Sequence, residues 1–131
     1  MLVIQTKRFK YFVFDYNTNM LHKELTDNIK TVLNSADLIY KNEDYTSATI
    51  LYFKVLFMVL DFIILKNTGA TPKDHTERFR ILEDKFPILY TLLDKYFKIY
   101  RSTYSASIDK KTCGEIKENV NKTIKEFKIE V

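Results

Sequence analysis

The sequence predicts an all-α protein: an up-and-down bundle of four main helices, preceded by an extended or β-rich segment. Three observations lead to this prediction. From residue 20 onward, apolar residues recur at steps of three and four. Only two glycines and two prolines occur in 131 residues, too few for the turns of a β-sandwich or barrel. Hydrophobic residues make up 46% of the chain and charged residues 29%, which is typical of one globular domain with its own core.

The start of the chain differs in composition from the rest. Residues 2–16 are rich in β-branched and aromatic side chains, which favour extended structure. Lys7, Arg8 and Lys10 make this segment basic. We therefore expect residues 1–19 to form an extended arm or hairpin and residues 20–131 to form the helical bundle.

The first predicted helix begins near residue 20 and ends near Asn42, where a short polar turn follows. A single apolar stripe along it indicates that one face packs on the core. The stripe consists of Leu21, Leu25, Ile29, Val32, Ala36 and Ile39.

The second predicted helix follows Asp44, and Asp44, Thr46 or Ser47 can cap it. From Ile50 to Leu65 it is apolar nearly all round, so it lies in the centre of the bundle or is covered by a second subunit. The most apolar run, residues 48–65, contains Lys54 and Asp61 and is shorter than the roughly 20 apolar residues of a membrane span. We therefore expect no membrane partner.

The third predicted helix begins after Asp74, which has capping-box spacing to Glu77. Its apolar residues keep their phase past Pro87 as far as Tyr100. Because proline removes a backbone donor, we expect a kink or break near residues 84–86, with both pieces facing the same core. After a polar turn, Asp109 can cap the last helix, and the short loops place neighbouring helices antiparallel.

Several classes of site are excluded or disfavoured by composition. Cys113 is the only cysteine, which rules out an intrachain disulfide and a paired-cysteine zinc site. His22 and His75 have no second ligand at usable spacing, so we expect no metal and no cofactor. The net charge of +4 favours an anionic partner only weakly. The N-terminus lacks a signal-peptide pattern, so a cytoplasmic location is expected.

Three short segments carry a resemblance to a known family. They are Asp44-Tyr45-Thr46-Ser47-Ala48 leading into Tyr52-Phe53-Lys54-Val55-Leu56-Phe57 with Asp61 one turn later, Asp74-His75-Thr76-Glu77-Arg78-Phe79, and Ile99-Tyr100-Arg101-Ser102-Thr103-Tyr104. In these segments the chain resembles the HEPN helical domains of prokaryotes, over about residues 20–130. The resemblance implies a bundle of four to five helices, often a homodimer, that acts in RNA cleavage or RNA binding and in toxin–antitoxin or defence systems. It also implies a nucleotidyltransferase-like protein as a frequent partner.

The active members of that family carry an arginine, four to six intervening residues and then a histidine. Arg101 aligns with the arginine, but the window after it contains Ala106, Ser107 and Ile108, none of which is a general base. The resemblance therefore implies a non-catalytic member that binds RNA, a nucleotide or a nucleotidyltransferase-like partner. The binding residues that it implies are Arg101 and Tyr104, since a guanidinium and a phenol can both contact a phosphate.

Other interpretations of these residues stay open. Arg101 could instead cap its helix or pair with Asp61, whose carboxylate needs a partner within an apolar segment. Lys54 or an arginine from another helix could also be that partner. Asp61, Lys54 and His75 are thus possible supporting residues of a site, but the favoured explanations are a structural ion pair for Asp61 and a surface or capping role for His75.

Two further functions are compatible with the sequence. A metal-independent ribonuclease could use Arg101 and Tyr104 for electrostatic stabilisation. A protein-interaction bundle is the other, because residues 33–41 together with residues 45–57 look like one tetratricopeptide helix pair. A solenoid needs about three such units, and the sequence contains one.

Overall fold

Five α-helices account for nearly all of the chain in a computed structural model, which describes the backbone from Leu2 and the side chains from Asn19 onward. The helices are α1 (Leu2–Lys41), α2 (Tyr45–Thr68), α3 (His75–Lys85), α4 (Pro87–Ser102) and α5 (Lys110–Glu126). No strand occurs along the described backbone, which confirms the all-α prediction. The helix count is five and not four, because the predicted third helix is divided at Phe86 into α3 and α4.

The extended N-terminal segment is not found, and that prediction was wrong. The backbone is helical from Leu2, as part of a single helix of 40 residues. The β-preference of residues 2–16 is a weak, context-dependent term, and no glycine or proline interrupts the chain between Leu2 and Lys41. A helix formed by residues 20–41 can therefore propagate backward at a small cost per residue. The side chains of residues 1–18 lie outside the described residues, and the division into an arm (1–19) and a bundle (20–131) stays a prediction.

The central element is α2, which contacts each of the other four helices. Its core side chains, among them Tyr52, Phe53 and Leu60, are fully buried. As formed, α2 is long and apolar enough to cross a membrane, so the sequence argument from length does not hold for it. Within its most apolar stretch, however, 72% of the residues are buried inside the bundle, as is usual for a core helix.

Caps define the helix ends. The carboxylates of Asp44, Asp74 and Asp109 each accept a hydrogen bond from the backbone N–H three residues later, at 2.8 to 3.0 Å. Hydrogen bonding to the side chain of Ser47, and next to its backbone N–H, lowers the pKa of Asp44; Thr112 lowers the pKa of Asp109 in the same way. At the other end of α2, Gly69 adopts the left-handed conformation (φ 85°) and donates its N–H to the carbonyl of Leu65. Of the three caps considered for α2 the structure uses Asp44, and for α3 and α5 it uses the predicted Asp74 and Asp109.

One end of the bundle brings together the C-terminus of α4 and the N-termini of α2 and α5. The backbone N–H of Ile108, just before α5, donates to the hydroxyl of Thr46 in the first turn of α2 at 2.9 Å. On α4, the ring of Tyr100 packs against Phe53 and Phe57 of α2, with centroids 5.4 and 5.0 Å apart. The last turn of α4 thus lies beside the first half of α2.

Candidate functional site

A largely buried ion pair joins α2 to α3. The Nε of Arg78 donates to one carboxylate oxygen of Asp61 at 2.6 Å, and its Nη2 donates to the other at 2.9 Å. The two side chains are only 9% and 17% exposed. The partner of Asp61 is therefore an arginine from another helix, neither Lys54 nor Arg101. The paired geometry uses both carboxylate oxygens.

His75 is held by the same arginine. Its Nδ1 lies 2.6 Å from Nη1 of Arg78. Because a guanidinium can only donate, Nδ1 must carry the lone pair, and the proton of the neutral ring is on Nε2. Burial, and next the charge of Arg78, lower the pKa of His75, while Asp61 and Asp74 oppose this shift more weakly. His75 is thus a neutral hydrogen-bond donor at the start of α3, and its proton-accepting nitrogen is occupied.

Aromatic rings surround this imidazole on its other sides. Its centroid lies 4.8 Å from Phe57, 5.4 Å from Phe97 and 5.9 Å from Tyr100, each in an edge-on arrangement. Phe57 belongs to α2, whereas Phe97 and Tyr100 belong to α4. The rings therefore form a layer across three helices, which holds the end of α4 in place.

Arg101 and Tyr104 lie on the outer side of this layer. Arg101 is exposed, and its guanidinium carbon is 5.9 Å from the ring centre of Phe97. Tyr104 is 80% exposed, with its hydroxyl 3.3 Å from that of Tyr100. This hydrogen bond, followed by burial, raises the pKa of Tyr100. An exposed cation and an exposed ring are thus supported by packed aromatic side chains.

We define the Arg101–Tyr104 surface as His75, Phe97, Tyr100, Arg101 and Tyr104. Its polar groups are a guanidinium, two phenols and the Nε2–H of an imidazole, all of which can donate hydrogen bonds. The nearby carboxylate of Asp61 has both oxygens engaged by Arg78. A surface rich in donors matches anionic acceptors such as phosphate oxygens.

Lys54 lies apart from the Asp61–Arg78 pair. It is exposed on α2, and the ion pairs among the described side chains do not include it. Because it precedes Phe57 by three residues and Asp61 by seven, it is on the same side of α2 as both. It therefore adds a free positive charge to that side of the helix.

The metal-ligating residue types, Cys113 and His22 do not form a further site among the described residues. No group of three or more His, Cys, Asp or Glu side chains that could hold a metal ion occurs from Asn19 onward. Cys113 is fully buried on the core face of α5, and burial raises its pKa. His22 packs edge-on against Phe62, and neither residue belongs to the surface defined above.

Sequence analysis missed the role of Arg78. It is the residue on which Asp61 and His75 converge, and it is buried where an apolar side chain would be expected. One signal was available, because positions 75 and 78 are three apart at the start of a capped helix and therefore face the same way. The pairing with Asp61, by contrast, depends on how α2 and α3 pack.

No family model matches this chain, and neither a curated protein nor a solved structure matches it significantly. The resemblance to HEPN domains therefore depends only on the three segments quoted above.

Proposed function

We propose that this helical bundle binds single-stranded RNA at the Arg101–Tyr104 surface without cleaving it. The observation that supports the proposal is the exposed guanidinium of Arg101 beside the 80% exposed ring of Tyr104. Phosphate contacts from arginine and stacking of bases on aromatic rings are the two main interactions by which proteins bind single-stranded RNA. Each group contacts a packed aromatic ring, Phe97 for Arg101 and Tyr100 for Tyr104, and these contacts lower the entropy lost on binding.

The resemblance to HEPN domains favours the same function. In keeping with it, the proposal includes a homodimer, a nucleotidyltransferase-like protein partner, a role in a toxin–antitoxin or other RNA-related system, and a cytoplasmic location. None of these extensions is needed for RNA to bind to the Arg101–Tyr104 surface, so each can fail without affecting the others.

Binding is favoured over cleavage because of the state of His75. Cleavage of RNA without a metal requires a group that takes a proton from the attacking hydroxyl. The lone pair of His75 faces Nη1 of Arg78 at 2.6 Å, and a proton added there would face a second positive charge. Tyr104 has a phenolic hydroxyl, whose partner in the structure is the hydroxyl of Tyr100.

The experiment is a titration of fluorescently labelled single-stranded RNA with wild type and variants, followed by anisotropy. We expect Arg101→Ala to weaken binding by about ten- to a hundredfold, the loss of a charge-assisted hydrogen bond. Tyr104→Ala should weaken it by a similar factor, about 1–3 kcal/mol per stacked base, while Tyr104→Phe should retain most of the affinity. Arg80→Ala is the matched control, since Arg80 is an exposed arginine lining a different hollow of the surface.

Three results would overturn the proposal. Wild-type affinity in both Arg101→Ala and Tyr104→Ala would show that this surface is not the site. RNA fragments on a denaturing gel without added metal, absent with Arg101→Ala, would establish the ribonuclease alternative. Wild-type protein that leaves RNA unbound at low salt would favour the protein-interaction alternative.

A further inference from the structure

A row of lysines runs along α5 beside its seam with α1. Lys110, Lys117 and Lys125 follow one another at intervals of seven and eight residues, which places them on one face of the helix. At 1.5 Å per residue, this row is about 22 Å long. Gly114 and Asn121 lie between them on the same face, so the row has few bulky side chains along it.

The surface beside this row is concave. A hollow of about 520 Å³ is lined by Tyr40, Gly114, Lys117 and Lys125, among others. A second hollow of about 510 Å³ shares Tyr40 and Lys117 and extends to Lys110 and to Lys41 at the end of α1. Since the two hollows share their central residues, they form one groove, which we call the α1–α5 groove.

Four of the five lysines that line the α1–α5 groove make no ion pair with another described side chain, and the fifth, Lys122, lies 4.0 Å from Glu126. The salt bridges found among the described side chains include none of Lys41, Lys110, Lys117 and Lys125. The ammonium of Lys117 instead lies 4.2 Å from the ring centre of Tyr40, a cation–π contact that fixes the charge inside the groove. Five lysines and three carboxylates line the two hollows, so the groove carries a net positive charge.

The groove opens at the same end of the bundle as the Arg101–Tyr104 surface. Lys110 is the first residue of α5, and only residues 103–109 connect it to α4. The hydrogen bond from Ile108 to Thr46 holds this connection against α2. A chain molecule leaving Tyr104 along this connection therefore arrives at Lys110, the first lysine of the row.

We propose that the α1–α5 groove binds the phosphate backbone of the same single-stranded RNA, as a track that continues from the Arg101–Tyr104 surface. The inference rests on the proposed function. Lysines act as point charges for phosphates, and a positively charged groove beside a stacking ring is the usual way of binding a single strand. A protein partner fits less well, because Tyr40 and Tyr45 are the only aromatic side chains lining the two hollows and no large aliphatic side chain is there to act as an anchor.

The test compares a short RNA that covers only the Arg101–Tyr104 surface with a longer one that reaches the groove. The groove variant is Lys117→Gln combined with Lys125→Gln, and glutamine preserves helix propensity. We expect the longer RNA to bind this variant several-fold more weakly and the plot of log Kd against log salt to become shallower by about 1.4, or ~0.7 per lost phosphate contact. Binding of the short RNA should not change.

Matched controls separate the track from a general effect of charge. Lys73→Gln with Lys85→Gln removes two exposed lysines that line neither hollow of the groove and should leave both RNAs unaffected. If Lys117→Gln impairs folding, Lys110→Gln with Lys125→Gln provides a second groove variant, since both of these lysines are exposed.

The outcomes distinguish the inference from the proposed function. If the groove variants bind the longer RNA with wild-type affinity while Arg101→Ala binds it more weakly, the proposed groove track is wrong and the proposed Arg101–Tyr104 site is supported. If Arg101→Ala and Tyr104→Ala both bind normally, the proposed function is wrong. An equal loss in the Lys73 and Lys85 control, or displacement of the long RNA by an acidic peptide of equal charge, would also overturn the track.

Discussion

Removing the carboxylate of Asp61 should destabilise the fold strongly. In Asp61→Ala, the guanidinium of Arg78 keeps its contact with His75 and loses both bonds to the carboxylate while remaining buried. Breaking a buried pair costs about 3–5 kcal/mol. Because the Asp61 side chain is 17% exposed, water can reach the vacated space, so we expect the lower end, about 3 kcal/mol. That is a large part of the ~5–15 kcal/mol that stabilises a typical domain.

The assay is urea unfolding followed by circular dichroism, arranged as a double-mutant cycle. The cycle contains wild type, Asp61→Ala, Arg78→Met and the double variant. We expect the double variant to be more stable than the sum of the single changes predicts, with a coupling of about 1–3 kcal/mol. The dependence of unfolding free energy on urea should stay constant, since the folded state remains the same size.

The control is the exposed pair of α1. Lys23 and Asp27 lie 2.9 Å apart, but their side chains are 79% and 63% exposed, so Asp27→Ala should change stability by at most about 0.5 kcal/mol. If Asp61→Ala lowers the free energy of unfolding by less than about 1 kcal/mol, or if the effects in the cycle are additive, the argument that burial makes the Asp61–Arg78 pair important for stability is refuted.

Three further predictions concern stability and are all measurable by thermal or urea unfolding. Gly69→Ala should destabilise the protein by about 1–2 kcal/mol, because φ is 85° at this position. Gly114→Ala should stabilise it by up to about 1 kcal/mol, because an added Cβ meets only the Tyr40 hydroxyl, at 3.9 Å. Effects of the opposite sign would contradict this reasoning. Asp74→Ala should cost about 1 kcal/mol through the lost cap of α3, and an unchanged midpoint would argue against it. Because the pKa of His75 is lowered in the folded state, the imidazole of the unfolded chain is protonated at a higher pH than that of the folded protein. The free energy of unfolding should therefore be constant above the ordinary pKa of 6.5 and decrease as the pH falls below it. His75→Gln should remove this part of the pH dependence.

The helices from residue 20 onward were predictable because their signals are local. A stripe at helical spacing, an aspartate before each of α2, α3 and α5, and a glycine after α2 act within one or two turns. The extended conformation of residues 2–16 was mispredicted because side-chain preference for extended structure is weaker than helix propagation through a segment without breakers. The division at Pro87 was expected, but whether proline kinks or separates a helix depends on the packing of both pieces.

The candidate site was predictable residue by residue but not in its pairing. Asp61 was expected to pair with a cation, and the sequence offered Lys54, Arg101 or an arginine from another helix. Which of them lies close to Asp61 depends on how the helices pack. The structure uses Arg78, 17 residues away on α3, and a separation of this kind is set by the packing of helices and not by any spacing in the sequence. Because Asp61 is paired with Arg78, it does not engage Arg101, whose guanidinium lies at the surface over the ring of Phe97. The two arginines therefore have separate roles, and the Asp61 cycle tests the buried pair while the Arg101 titration tests the surface contact.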